Sequence, residues 1–324
     1  MPRLPNLKER LMPSLDSVKE RGRGVLVRSM RACVAQDRLP WITKAVYVSA
    51  CQKLLPALGI DSDETPVESE YGTKFVAGPG SAWLNSFLRF RGAFEPVLSE
   101  FILRHVQEGD VCVDAGANCG YYSLLLAQRV GPSGKVIAIE AAPDNVRRLR
   151  ANLELNGAAD IVEVVMAACA DQKGEITLYA HPNNDLLYRL KPPAKGELDR
   201  RHFGKTWIPT TVPADTLGSI VGGEAERVSF IKVHIEGAEA VVAPTIPDTF
   251  PHPGLVVALL AKEPHIDATL KAFEQKGFFI YDQHNDYRWV FERKVPAITE
   301  AAYSDFKNRG TIWVLLSRRP LTLP

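Results

Sequence analysis

The sequence predicts a doubly wound α/β fold, with a mostly parallel sheet, helices on both faces and an antiparallel edge. Three observations carry that prediction. Short apolar runs alternate with amphipathic stretches from about residue 96 onward. The stretch VCVDAGANCGYYS, residues 111–123, reads as a buried strand, a glycine-pinned turn and the start of a helix. Two short apolar segments near the C-terminus lie close together in sequence, which suggests an antiparallel pair at one edge.

Taken in order, residues 1–80 form a helical N-terminal segment and linker, and residues 81–324 form the main domain. Residues 1–40 hold nine Lys or Arg against four Asp or Glu. Leu4, Leu7, Leu11, Leu15 and Val18 recur at helical spacing, but Pro5 and Pro13 interrupt any single long helix. A second helix is expected after Pro40, with Ile42, Ala45, Val46, Ala50, Leu54 and Leu55 on its apolar side. This segment reads as a helical cap on the main domain, or as a docking surface for a partner or an anionic membrane face. Residues 61–81 are acidic and then rich in turn formers, which predicts a linker and a short hairpin including residues 71–76. Pro96 suits the first turn of a helix whose apolar face is Val97, Phe101, Ile102 and Val106.

The central strand at 111 is followed by strands at 135–140 (KVIAIE) and 161–168 (IVEVVMAA), with an amphipathic helix at 144–156 between them. Residues 174–180 add a β segment, and the polar stretch 181–209 is a long excursion of the kind that is commonly functional or disordered. Strands are expected at 228–235, 254–260 and 278–281, with a helix at 266–276. Segments 288–292 and 311–317 are expected to finish the sheet.

A formal net charge of +1 gives no reason to expect a polyanionic partner, and no basic stripe interleaved with aromatics accompanies the expected pocket to suggest nucleic acid. The five cysteines are an odd, scattered set without metal-ligand or disulfide spacing, which fits a reducing cytoplasm. The N-terminus lacks the apolar core of a signal peptide. No run approaches the roughly 20 apolar residues that cross a bilayer, so no membrane span is expected. No Asp/His cluster argues for a metal.

A ligand in such a sheet binds outside the carboxyl ends of the strands, near the topological switch point. The first strand end offers Asp114, Gly116, Asn118 and Gly120, followed by Tyr121 at the start of the helix. A carboxylate there suits ribose hydroxyls or an ammonium group better than a pyrophosphate, which points away from NAD and toward S-adenosylmethionine. Glu140 ends the second strand, about 20 to 25 residues past the turn, where an acidic residue accepts ribose hydroxyls. Asp171, after the third strand, either caps an adenine amine or is an ordinary turn residue. The fourth strand ends in KVHIEGAE, residues 232–239. His234 stands where the methyl group and nucleophile would meet, and its reference pKa of about 6.5 suits a general base. It alternatively bonds the loop or the cofactor. Glu236 and Glu239 flank Gly237, each a candidate ligand or helix cap. Lys232 reads as a surface residue or a salt-bridge partner.

These segments together, VDAGANCGYYSLLLA, EAAP at 140–143, the 152–156 helix end, CADQKGEITLY and FIKVHIEGAEA, with GAFEP at 92–96, resemble the FkbM-type S-adenosylmethionine-dependent methyltransferases. The resemblance covers about residues 90–283. It implies a Rossmann-like class I methyltransferase sheet and maps Asp114, Gly116, Asn118, Gly120 and Glu140 onto cofactor contacts. Family members mostly methylate hydroxyl groups of sugars or secondary metabolites, and some methylate peptide amides. The family pattern reads I-K-x-D-x-E-G-A-E, and here His234 replaces the aspartate. Either the base has changed type, or transfer is impaired and the domain only binds cofactor. Glu95, Glu263 and His265 are the remaining candidates for substrate contact. The expectation is an O-methyltransferase of a small-molecule sugar or metabolite hydroxyl. The alternatives are a non-catalytic binding subunit with a protein partner or homodimer contact through residues 1–60, and a peptide methyltransferase docking through 181–209.

Overall fold

The computed structural model describes residues 15–36, 38–54, 66–76, 84, 87–89, 91–181, 184–189, 207–235, 237–285, 288–291 and 295–323. In chain order, α1 (Leu15–Val34) and α2 (Trp41–Leu54) precede a hairpin of β1 (Val67–Glu68) and β2 (Lys74–Phe75). Then come α3 (Pro96–His105), β3 (Val111–Ala115), α4 (Tyr121–Val130), β4 (Lys135–Glu140), α5 (Pro143–Leu155) and β5 (Val162–Met166). Next are β6 (Ala168–Cys169), β7 (Gly174–His181), β8 (Asn184–Arg189), β9 (Ile208–Asp215) and α6 (Leu217–Val221). The chain ends with β10 (Val228–Val233), α7 (Glu239–Val242), α8 (Ile246–Thr249), β11 (Val256–Lys262), α9 (Ile266–Glu274), β12 (Phe279–Asp282), β13 (Thr299–Glu300) and β14 (Thr311–Ser317).

The main sheet runs β13-β12-β14-β11-β10-β3-β4-β5. Strands β5, β4, β3, β10 and β11 are mutually parallel. The chain leaves β3 for β4 and β5 on one side and returns to β10 and β11 on the other, so the switch point falls between β3 and β10. This is the Rossmann-like sheet the sequence predicts. Strand β14 pairs antiparallel with both β11 and β12, so it is inserted between them, two places in from the edge that β13 forms.

Alternation along β3 and β10 divides the core into two layers. Val111, Val113, Ala115, Ile231 and Val233 face a layer with Phe250, Leu270 and Phe273. Cys112 and Phe230 face the other layer, with Phe101, Ile102, Leu124 and Leu125 from α3 and α4. Strands buried on both faces read as continuous apolar runs, which is why they were legible. By the same alternation Asp114 and Lys232 stand on the Cys112 and Phe230 face, side by side in register.

Two expectations about elements are corrected. Segment 161–168 divides, because Ala168 and Cys169 leave the main sheet and pair with β9 in a second sheet of order β6-β9-β7-β8. Residues 288–292 were expected as a strand, but Arg288–Val290 is a 3₁₀ turn. There the Trp289 indole N–H donates to Asn285 Oδ1 at 2.8 Å, and the ring is buried against Phe87 with Met30, Val34, Val48 and Cys51. A buried indole needs a partner for its N–H, and a turn supplies one where a strand would not. Hydrogen bonds also cross the boundary expected at residue 80. Asn152 of α5 accepts from Val76 N at 2.8 Å and donates to Val76 O at 3.2 Å, and Asn156 makes the same pair of bonds with Lys74 at 2.8 and 2.7 Å. Part of the 181–209 excursion, residues 182–183 and 190–206, lies outside the described residues, as do residues 1–14.

Candidate functional site

The site is built where β3 ends. Backbone φ is +81° at Gly116, +52° at Asn118 and +93° at Gly120, so the turn repeatedly enters the left-handed region. Glycine enters it without strain and asparagine is the side chain that tolerates it best. A Cβ on Gly116 would lie 1.8 Å from the His234 carbonyl oxygen, so the ends of β3 and β10 touch through bare backbone. A Cβ on Gly120 would meet Leu149 Cδ1 at 2.5 Å, which shows how closely α5 seats against the turn.

Every backbone N–H from 116 to 120 already has a partner. Gly116 and Ala117 donate to Ile139 O, each at 2.9 Å, and Gly120 donates to Ala117 O at 2.9 Å. Asn118 N donates to Glu140 Oε2 and Cys119 N to Asn118 Oδ1, both at 2.7 Å. A phosphate cradle needs N–H groups turned outward. This turn has none to offer, so it does not suit a pyrophosphate.

Glu140 is buried at the end of β4. Besides Asn118 N, its carboxylate accepts from Ala142 N at 2.8 Å and Asn145 Nδ2 at 3.5 Å. Two carboxylate oxygens carry about four acceptor positions, so with three donors already engaged about one position remains for a ligand hydroxyl. Burial pushes the Glu140 carboxyl above its ordinary value, while the N–H groups of Ala142 and Asn118 pull it back.

Beneath the turn lies a buried charge pair that sequence reasoning placed only in part. Lys232 Nζ is 3.0 Å from Asp114 Oδ1, and both side chains are almost wholly buried. The ion pair lacks hydrogen-bond alignment; the aligned donor goes instead to Gly116 O at 2.7 Å. Ser123 Oγ donates to Asp114 Oδ2 at 2.7 Å, and Lys232 sits over the Tyr122 ring, 5.4 Å from its centre. Asp114 is thus engaged beneath the turn by Lys232 and Ser123, and the surface reading of Lys232 is corrected. Tyr122 OH donates to Glu95 Oε2 at 2.6 Å, and Asn285 Nδ2 donates to Glu95 Oε1 at 3.3 Å. Glu95 is itself buried with φ +40°. The signal that could have found Lys232 is its alternation with Phe230 and Val233, which puts a charge on a core face.

Tyr121 is also corrected as a ligand contact. Its ring is buried against Phe75 and Phe94, and its hydroxyl bonds Ser99 Oγ and Phe94 O, both at 3.0 Å. Glu239 accepts from Ile235 N at 2.9 Å and Gly237 N at 2.6 Å, so its carboxylate ties the loop that follows β10. Glu239 is buried, and each of its carboxylate oxygens anchors the loop through one backbone N–H. Glu236 lies outside the described residues. His234 is half-buried, with its N–H held by Ala115 O at 3.0 Å, beside the glycine turn. Asp171 is exposed beyond β6. Glu263 and His265 lie past the end of β11, away from the β3–β10 crevice in sheet order. Gly116, Asn118, Glu140 and His234 are thus brought together. Asn152, which donates to Cys119 O at 2.8 Å, was missed as a support of the turn.

Residues 114–242 match the family model described as the methyltransferase FkbM domain. A protein-L-isoaspartate O-methyltransferase of Aeropyrum pernix is 45% identical over 60 residues, covering 18% of this chain and 23% of that protein. Protein-L-isoaspartate O-methyltransferase 2 of Archaeoglobus fulgidus is 44% identical over 64 residues, covering 20% and 29%. The chain thus spans less than a third of the length of these curated relatives. Among solved structures, a methyltransferase FkbM from Methylobacillus flagellatus covers 91% of this chain and 59% of its own, at 14% identity and a TM-score of 0.41.

Proposed function

We propose that the chain, whose residues 114–242 match the methyltransferase FkbM domain model, is an S-adenosylmethionine-dependent methyltransferase acting on an oxygen acceptor. The observation that supports the cofactor most directly is the glycine turn with all its N–H groups bonded inward beside the Glu140 carboxylate. Such a site favours a ribose diol and a cationic ligand over a diphosphate. Glu140 would accept the ribose hydroxyls, and the turn from Gly116 to Gly120 would hold the amino-acid end. Bound there, the cofactor supplies an electrophilic methyl group on a sulfonium.

The chain's own contribution is alignment and proton removal. A hydroxyl acceptor beside His234 would pass its proton to the imidazole as the oxygen–methyl bond forms and the carbon–sulfur bond breaks. The favoured acceptor is a sugar or metabolite hydroxyl, in a reducing, cytoplasmic setting that five free cysteines fit. The names of the archaeal relatives support a second reading, in which the oxygen belongs to a carboxylate of a protein isoaspartate. A carboxylate is already ionised at neutral pH and needs no base.

His234→Ala separates the two. Transfer of labelled methyl to a hydroxyl acceptor should fall about 10²–10⁴-fold in kcat with cofactor affinity unchanged, whereas carboxylate methylation should hardly change. Cofactor binding without any labelled product, in wild type and variant alike, would leave a binding subunit as the better account.

Glu140 makes a pH prediction. Its folded-state value is raised, so its contribution to stability is present below the unfolded value and lost as pH rises through the raised one. Burial thus penalises the ionised carboxylate of the free protein, and a ribose hydroxyl donating to it would offset part of that penalty. Affinity for S-adenosylhomocysteine, followed by calorimetry, should weaken as pH falls through this range. Glu140→Gln should bind more weakly and lose that pH dependence.

A further inference from the structure

The helical hairpin of α1 and α2 has two faces of different character. Its inner face, Met30, Val34, Val48 and Cys51, is buried on Phe87 and Trp289. Its outer face is exposed and apolar: Val46 is 67% exposed, Ile42 and Val25 59%, and Trp41, Tyr47 and Leu39 about 40%. Most of the exposed large hydrophobic residues of the described chain are gathered in this one hairpin. Ile42 and Val46 are one turn apart on α2, with Trp41 and Tyr47 beside them. Along α1 the exposed positions Arg21, Val25, Arg28 and Ala32 follow helical spacing and form a basic stripe. Arg31 and Arg38 are exposed as well, although Arg31 Nε also donates to Arg89 O at 2.6 Å. Between Arg21 and Cys51 there are six Lys or Arg and a single acidic residue, Asp37.

We propose that this outer face binds the surface of an anionic lipid bilayer, lying in the interface rather than crossing it. No helix among the described residues is long and apolar enough to span a membrane. Aliphatic side chains flanked by Trp and Tyr, with arginines beside them and almost no carboxylate, match the headgroup boundary. There aromatic rings sit at the interface and each basic residue is attracted by anionic headgroups. A globular helix that merely caps a domain presents a mostly polar outer face to water, whereas Trp41, Ile42, Val46 and Tyr47 outnumber Thr43 and Ser49 among the exposed large or polar side chains described for α2. The hairpin is seated on Trp289, whose indole bonds Asn285 just past the end of β12, and Asn285 bonds Glu95. Docking would therefore bring the carboxyl edge of the sheet toward the lipid. The inference does not depend on methyl transfer, because binding to vesicles is read without cofactor or acceptor.

The full chain is sedimented with vesicles of phosphatidylcholine alone or mixed with phosphatidylglycerol. Binding is expected to the mixed vesicles only, and to decline with added salt. An Ile42→Glu, Val46→Glu variant should bind about tenfold or more weakly. Both positions are exposed, and an unchanged circular dichroism melt verifies the fold. An Arg21→Gln, Arg28→Gln variant should lose mainly the salt-sensitive part. The proposal is overturned if wild type ignores the mixed vesicles at low salt, or if the Glu variant binds as well as wild type. It is equally overturned if light scattering shows a dimer that the Glu substitutions dissociate, which would assign the face to a second copy of the chain.

Discussion

Lys232→Met should lower the stability of the protein by about 3–5 kcal/mol, because it leaves the Asp114 carboxylate buried without its cation. Asp114 is fully buried, and Ser123 Oγ alone would then remain as a partner. The same substitution removes the donor to Gly116 O and the cation over Tyr122, so the turn loses its support from below. Urea denaturation of single and double variants measures this. Asp114→Asn combined with Lys232→Met should recover most of the loss, since removing both charges also removes the unpaired one. A single variant within about 1 kcal/mol of wild type would mean that the pair behaves as an exposed one does. Affinity for S-adenosylhomocysteine should fall in Lys232→Met even where the protein remains folded, because the carbonyl of Gly116 is then free to rotate.

Gly116→Ala is expected to be as severe, for a steric reason. The left-handed backbone at φ +81° costs a residue with a Cβ about 1–2 kcal/mol. The larger cost comes from a Cβ placed 1.8 Å from the His234 carbonyl oxygen, which is backbone and cannot swing aside. The β10 end would have to move away from β3, breaking the bond from His234 N to Ala115 O. Total destabilisation above about 3 kcal/mol is expected, with loss of cofactor binding. Gly157→Ala is the control, since it shares a positive φ of +65° but nothing lies within 4 Å of its Cβ. Only the backbone cost, about 1 kcal/mol, should appear there. Equal melting temperatures for the two variants would show that the close approach of β3 and β10 carries no energy.

Both predictions concern the same few residues, and they differ in how far the sequence alone disclosed them. The glycines of the turn were legible because their spacing between an apolar strand and an apolar helix has few other uses. Pro96 at the start of α3 and Glu140 at the end of β4 were legible for similar local reasons. Alternation of strands and helices was enough for the doubly wound sheet. The resemblance over about residues 90–283 was carried by an ordered set of short motifs, and the family match covers residues 114–242 within it.

Partners across the fold were not legible. Asp114 and Lys232 are separated by more than a hundred residues, and only the pairing of β3 with β10 brings them into register. Glu239 was read as a candidate catalytic carboxylate, and sequence cannot show that its oxygens accept from Ile235 N and Gly237 N. Tyr121 looked like a ligand contact because the direction of the first helical residue depends on where the hairpin and Phe94 lie. The strand expected at 288–292 failed because Trp289 is claimed by α1 and α2, more than two hundred residues earlier. By itself, then, the sequence determined the parallel sheet, most of its elements and the glycine turn, all of which rest on local spacing and burial periodicity. Tertiary structure alone decided which charges are buried as supports, which carboxylate stays open to a ligand and which helix face is left bare. Those depend on distances between residues remote in the chain, and on which hydrogen-bonding groups the packed protein has already satisfied.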